Sequence, residues 1–140
     1  MKIALLAVAA TAFLHLKGPD GNLLFDGDTK VGIDLFGPGS PEAERVEDRK
    51  NTRMSQRFED NDRKFTAAPS QQHRVETAED LAGVTAAFHG IEHDGPDGTP
   101  LSGIALYTAV YSDPTLGWIK DQAIKFQANW GKFAPGSAIS

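Results

Sequence analysis

The chain has 140 residues, 40% of them hydrophobic, a formal net charge of −5 and no cysteine. Acidic and basic residues are interleaved, which argues against a general nucleic-acid binder with one basic face, and the lack of cysteine excludes disulfide and thiol chemistry. This length is most simply one soluble domain, residues 1–140, with a core of its own.

The N-terminus, MKIALLAVAATAFLHL, has the composition of a secretory signal. Lys2 would be the charged region, Ile3–Ala9 the apolar region and Ala10–Ala12 the cleavage site. Cleavage there would remove only about twelve residues, whereas signal peptides have roughly 15–30. The apolar run is also shorter than the roughly 20 residues that span a membrane. We therefore expect a buried N-terminal element that runs into a strand.

Three short apolar segments follow, separated by turn sequences. They are Thr11–Leu16, Leu23–Phe25 and Val31–Phe36. Pro19-Asp20-Gly21 between the first two has the chemistry of a tight turn, because proline presets φ and glycine accepts positive φ. This spacing predicts a small antiparallel sheet or meander over residues 11–36.

A long polar helix is predicted over residues 41–63. Ser40 is a good N-cap, and Pro41 suits the first helical position. The few apolar residues of this helix are Val46, Met54 and Phe58. It therefore buries at most a thin stripe, and it is either a solvated helix held by charge pairs or an arm that docks on a partner.

Residues 74–133 are predicted to form a compact helical bundle. A helix over Arg74–Phe88 has apolar residues at helical spacing, and Gly90 follows it where a left-handed C-cap is common. A short helix over Gly103–Tyr111 is capped by Ser102.

The last helix begins at Asp113 and Pro114 and has a well-formed apolar stripe. The stripe consists of Leu116, Ile119, Ala123, Phe126, Trp130 and Phe133. Trp118 lies off the stripe, so we expect it to be exposed. The predicted fold class is α+β, with a small N-terminal sheet, a long polar helix and a C-terminal helical bundle.

The segment FHGIEHDGPDG, residues 88–98, concentrates two histidines, a glutamate and two aspartates. His89 and His93 are four residues apart, but Gly90 and the following DGPDGTP run argue against one helix through both. Zinc needs three or four convergent ligands, and a calcium loop needs a closing glutamate that does not follow here. GPDG also occurs at Gly18–Gly21 without histidines. We therefore expect a polar connector and no metal or other cofactor.

Catalytic motifs are not recognisable in the sequence. Ser40 lies in GPGSPE, which lacks the nucleophile-elbow pattern, and the glycines of FGPGS lack the GK[ST] ending of a phosphate-binding loop. We therefore expect a protein that is not an enzyme.

The C-terminal half has a recurring order of features, EDLAGVTAAFHGIEHDGPDGTPLSGIALYTAVYSDPTLGWIKDQAIKFQANWGKF. A helix runs into an F-x-G end, an acidic loop and a short helix follow, and a DPxhxWhxxQ turn-and-helix ends in W-x-x-F. The residues that carry these features are Phe88–Gly90, Asp97–Leu101, Tyr111–Pro114, Trp118–Gln122 and Trp130–Phe133. This order resembles the tail assembly chaperones of long-tailed bacteriophages, and the likeness covers roughly residues 75–133.

The resemblance implies a non-enzymatic role in the host cytoplasm before the phage tail is complete. Such proteins coat the tape measure protein, keep it soluble and help to recruit the tail tube protein. These two proteins are the expected partners, without nucleic acid or membrane, and self-association stays open. We expect the partner to contact Trp118, Trp130 and Phe133. The alternatives are a structural virion protein of the tail tube or head–tail joint, and a secreted bacterial domain.

Overall fold

The computed structural model describes residues 1–61 and 70–135, and it confirms the predicted α+β class. The strands are β1 (Thr11–His15), β2 (Phe25–Asp26), β3 (Thr29–Lys30), β4 (Gly32–Phe36) and β5 (Thr85–His89). The helices are α1 (Pro41–Asp60), α2 (Ser70–Gly83), α3 (Gly103–Ser112) and α4 (Gly117–Gln127), with 3₁₀ turns at Ile3–Leu6, Pro114–Leu116 and Trp130–Phe133.

An antiparallel sheet of order β1-β4-β5 forms one layer of the molecule. β1 and β4 come from the first and third predicted strands, and Phe13 pairs with Asp34 in their register. Ile33 and Leu35 of β4 are fully buried, because alternate residues of a strand point to the same face. The second predicted strand, Leu23–Phe25, is only partly found, since the two-residue β2 pairs with β3 outside this sheet.

The third strand of the sheet corrects two predictions. Residues 85–88 were expected to end a helix that starts at Arg74, but α2 runs from Ser70 to Gly83 and β5 follows it. β5 pairs with β4, so the main sheet extends beyond residues 11–36 and the segment 74–133 is not entirely helical. β4 pairs with β1 along one edge, and the backbone groups on its other edge also need hydrogen-bond partners. Residues 85–89 supply these partners as a strand, whereas a helix would leave the groups unpaired.

The helices cover the inner face of the sheet and enclose one core. Its largest fully buried side chains are Tyr111, Phe133, Leu16, Ile33, Leu35 and Val110. Gly90 has the expected positive φ of 72°, but it follows a strand and not a helix.

α1 confirms the predicted polar, exposed helix, and its start is as expected. The Ser40 hydroxyl accepts a hydrogen bond from the Ala43 N–H at 3.2 Å, and Pro41 is the first helical residue. Val46 is the buried residue of the helix, and Met54 is 57% exposed. The helix ends at Asp60, and the predicted end at residue 63 lies outside the described residues.

The predicted last helix is divided into three parts. Asp113 caps a 3₁₀ turn through the Thr115 N–H at 2.9 Å, and α4 begins only at Gly117. α4 ends at Gln127, and the Asn129 side chain then caps the 3₁₀ turn that contains Phe133.

The N-terminal residues are exposed, contrary to the expectation of a buried element. Ile3, Leu5 and Leu6 are 70%, 73% and 60% exposed. Within residues 1–61 and 70–135, no helix is long and apolar enough to cross a membrane.

Candidate partner-binding groove

A groove of about 1370 Å³ lies between α1, α2 and the end of α4. Its apolar lining includes Ala43, Val46, Met54, Phe58, Leu81, Val84, Ile124 and Ala128. Charged residues from both helices of the α1–α2 hairpin line it as well, and they are Glu44, Glu47, Lys50, Arg53, Arg57, Glu76 and Asp80. The groove therefore combines an apolar interior with a charged border.

A ladder of ion pairs holds α1 against α2 along this groove. Arg53 donates two hydrogen bonds to the carboxylate of Asp80, both at 3.0 Å, and Arg57 donates to Glu76. Arg49 lies 3.6 Å from Asp80 and donates to the Glu79 carbonyl oxygen at 3.3 Å. The hydrogen bond with Asp80 raises the pKa of Arg53, and burial opposes this effect. Long arginine side chains bridge the two helices here, and Met54 and Ile124 of the lining are 57% and 40% exposed.

The two helices approach closely at one end of the ladder. A Cβ added at Gly83 would lie 2.7 Å from the Val46 side chain and 2.9 Å from Arg49. The glycine therefore permits close contact near the start of α1, and the ion pairs of Arg53 and Arg57 bridge the helices further along. This arrangement explains why a mainly polar helix can form one wall of an apolar groove.

The groove also reaches the segment that leads into α1. Pro38, Gly39 and Ser40 line it there. A Cβ at Gly39 would lie 3.2 Å from the Trp130 ring and 3.5 Å from the Val8 side chain. This end of the groove is therefore flanked by residues from both the N-terminal and the C-terminal parts of the chain.

The three predicted contact residues differ in exposure. Trp130 is 56% exposed, and its ring lies beside Gly39 at the end of the groove. Phe133 is fully buried, with its ring edge-on to Phe126 at 5.6 Å between centroids. Trp118 is half-buried and packs against the core, so its predicted exposure is wrong. The 3₁₀ turn explains the burial of Phe133, because it folds the chain back over Gly37.

The histidines of the segment 88–98 point to separate partners. His89 Nε2 lies 2.7 Å from Asp34 Oδ2 on the sheet, whereas His93 Nε2 lies 3.6 Å from Asp113 Oδ2. Hydrogen bonds from Thr115, followed by the contact with His93, lower the pKa of Asp113. Among the described residues, no group of three or more histidine, cysteine, aspartate or glutamate side chains is arranged to hold a metal ion.

The two GPDG segments form the same turn. Gly21 N–H donates to the Gly18 carbonyl oxygen and Gly98 N–H to that of Gly95, both at 2.9 Å. The aspartate of each turn accepts a hydrogen bond at 3.0 Å from the backbone N–H two residues later, in Asn22 and Thr99. These hydrogen bonds lower the pKa of Asp20 and of Asp97. The aspartates of both segments are therefore engaged in turn formation, as the sequence predicts for a polar connector.

The groove itself was not predicted from the sequence, although a signal for it exists. Arg49, Arg53 and Arg57 recur every four residues on α1, and Glu76 and Asp80 have the same spacing on α2. Such complementary stripes indicate two helices joined by ion pairs. The chain matches no protein-family model, no curated protein and no solved structure.

Proposed function

We propose that this chain is a tail assembly chaperone of a long-tailed bacteriophage. It holds an apolar helical segment of the tape measure protein in the groove between α1, α2 and α4, in the host cytoplasm, and it catalyses no reaction. The observation that carries the proposal is the groove, with its apolar interior and charged border. Amphipathic helices bind in grooves of this kind, with apolar side chains inside and polar ones at the border.

The size of the groove favours a polypeptide over a small ligand. Its volume of about 1370 Å³ exceeds the roughly 300–1,000 Å³ of common small-molecule sites. Ile124 and Met54, which line it, are 40% and 57% exposed, so apolar surface is available to a partner. Exposed apolar surface of this kind commonly marks an interaction site.

The resemblance over residues 75–133 supports the same function. One residue of the resembling pattern, Gln122, also helps to hold α4 in the position where it lines the groove. Gln122, in the Trp118–Gln122 part of the pattern, accepts from the Lys17 N–H at 2.9 Å and donates to the Lys17 carbonyl oxygen at 2.8 Å. These two hydrogen bonds fasten α4 to the turn that follows β1. Because the end of α4 forms one wall of the groove, this part of the pattern has a positioning role. The tail tube protein is the second partner that we propose from the resemblance.

Coexpression with the tape measure protein tests the proposal. The readout is the soluble fraction of the tape measure protein with wild type, with Ile124→Glu and with Met54→Glu. Both variants place a charge in the groove, and we expect each to lose most of the solubilising effect. Ile104→Glu is the matched control, because Ile104 is 61% exposed on α3 and does not line the groove.

Three results would contradict the proposal. Equal solubility of the tape measure protein with and without this chain would rule out the chaperone function. Stoichiometric recovery of the chain in purified particles, measured by mass spectrometry, would favour a structural role in the tail tube or head–tail joint. A purified chain that lacks residues 1–12 after export would favour a secreted bacterial domain.

A further inference from the structure

Residues 1–7, named here the N-terminal arm, expose apolar side chains to solvent. Met1, Ile3, Leu5 and Leu6 are 98%, 70%, 73% and 60% exposed. The 3₁₀ turn at Ile3–Leu6 contains no buried residue, and the backbone at Ala7 is extended. The arm therefore presents an apolar surface that the copy carrying it leaves uncovered.

The arm leaves the molecule next to the groove. Ala9 N–H donates to the Phe133 carbonyl oxygen at 2.7 Å, and Gly37 N–H donates to the Ala10 carbonyl oxygen at 2.8 Å. These two bonds fix the base of the arm. Val8 packs against the core beside Gly39, which lines the groove. In one copy, the exposed apolar side chains of the arm thus begin next to the groove.

We propose that the arm of a second copy of this chain occupies the groove, and that the two copies exchange arms across a twofold axis. Both surfaces are apolar, so the exchange removes both from water. The charges are also complementary. The arm carries Lys2, whereas the charged lining of the groove has four acidic residues, Glu44, Glu47, Glu76 and Asp80, and three basic ones, Lys50, Arg53 and Arg57. Glu44 lies at the end of the groove where α1 begins, near Gly39 and Val8. A twofold exchange repeats the same contact twice, which is the usual arrangement of a homodimer.

A second copy fits these observations better than the arm of the same copy. Within one copy the base of the arm is fixed beside the groove, yet its apolar side chains remain exposed and the groove remains open. An exchange between copies covers both surfaces without moving the residues that hold Ala9 and Ala10. The free protein is then a dimer with occupied grooves, and a partner helix binds by displacing the arm. Only this displacement rests on the proposed function.

Sedimentation velocity of the purified chain measures the predicted dimer. Intact mass is determined first, so that the presence of residues 1–7 is established. We expect wild type to dimerise with increasing concentration and Leu5→Glu/Leu6→Glu to dissociate at least tenfold more readily. Ile104→Glu adds the same charge at an exposed apolar residue outside the groove, and it should dimerise like wild type. A wild type that stays monomeric at all concentrations would overturn the proposal.

Engineered cysteines distinguish exchange between copies from docking within one copy, because the chain has none of its own. One preparation carries Leu5→Cys and the other Ile124→Cys, and the mixture is oxidised. We expect a disulfide between the two preparations, and an Ile104→Cys partner should give none. If the double variant Leu5→Cys/Ile124→Cys forms the disulfide only within a monomer, the arm occupies its own groove and the proposal is wrong.

The alternative is that the apolar arm inserts into a membrane surface and not into a groove. Flotation of wild type with phosphatidylcholine vesicles, without a dimer at any concentration, would overturn the proposal in favour of that surface. A monomeric Leu5→Glu/Leu6→Glu variant should still keep the tape measure protein soluble. The dimer and the chaperone function can therefore be tested, and contradicted, independently.

Discussion

The hydroxyl groups of Thr85 and Tyr111 lie 2.8 Å apart, and both side chains are buried. Thr85 donates to the Leu81 carbonyl oxygen at 2.9 Å, so Tyr111 is the donor in the bond between the hydroxyls. This pair joins the end of α2, the start of β5 and the buried face of α3. It is therefore a polar link among the apolar side chains of the core.

Replacing Thr85 by valine should destabilise the protein by about 1–3 kcal/mol, because the buried Tyr111 hydroxyl loses its acceptor. Valine keeps the shape of threonine, so packing changes little. Thr85→Ser keeps the hydroxyl and should cost only about 0.8 kcal/mol for the lost methyl group. Urea unfolding measures both, and a Thr85→Val variant as stable as wild type would show that the hydrogen bond contributes nothing.

Stability should decrease at alkaline pH because of Tyr111. Burial raises the pKa of its hydroxyl above the ordinary value of 10.0. Above about pH 10 the unfolded chain loses the proton while the folded chain keeps it, so the free energy of unfolding falls as pH rises. The contribution is complete below that pH and is lost progressively above it.

The comparison of wild type with Tyr111→Phe isolates this effect, since the two proteins differ only in the Tyr111 hydroxyl. The difference between their free energies of unfolding should be constant from pH 8 to 9. Above pH 10, wild type should lose stability relative to Tyr111→Phe by up to about 1.4 kcal/mol per pH unit. A difference that stays constant up to pH 11 would contradict the assignment.

Removing the charge of Asp80 should loosen α1 from α2. Asp80→Asn weakens the two hydrogen bonds from Arg53 and the contact with Arg49, at a cost of about 1–3 kcal/mol. Hydrogen exchange should accelerate in α1 before it changes in α4. Glu47→Gln on the same helix is the control, because Glu47 and Lys50 are 3.9 Å apart and exposed, and such pairs contribute less than about 1 kcal/mol. Equal effects of the two substitutions would mean that the ladder does not hold the helix.

Trp130 and Phe133 should respond in opposite ways to truncation. Phe133→Ala removes a fully buried ring and should cost about 3–5 kcal/mol of stability. Trp130→Ala removes a ring that is 56% exposed, so stability should fall by about 1 kcal/mol or less. Binding of the tape measure protein should weaken by about 1–4 kcal/mol with Trp130→Ala. Thermal unfolding and calorimetric titration measure these effects, and a Trp130→Ala variant with unchanged affinity would remove Trp130 from the proposed contact.

Features that depend only on residues close together in the sequence could be predicted from it. The Ser40–Pro41 start of α1 and the turns at Gly18–Gly21 and Gly95–Gly98 depend on hydrogen bonds between residues at most four positions apart. The polar character of α1 likewise predicts its exposure. These elements have the expected form because local chemistry is sufficient to specify them.

Tertiary structure decided the remaining features, because their partners are distant in the chain. TAAFH, Thr85–His89, has no local signal strong enough to separate strand from helix, and pairing with Gly32–Phe36 makes it a strand. Phe133 is buried because the 3₁₀ turn packs on Gly37 and its carbonyl oxygen accepts from Ala9. The groove exists because arginines of α1 meet carboxylates of α2, and long ion-paired side chains bridge two helices without filling the space beside them.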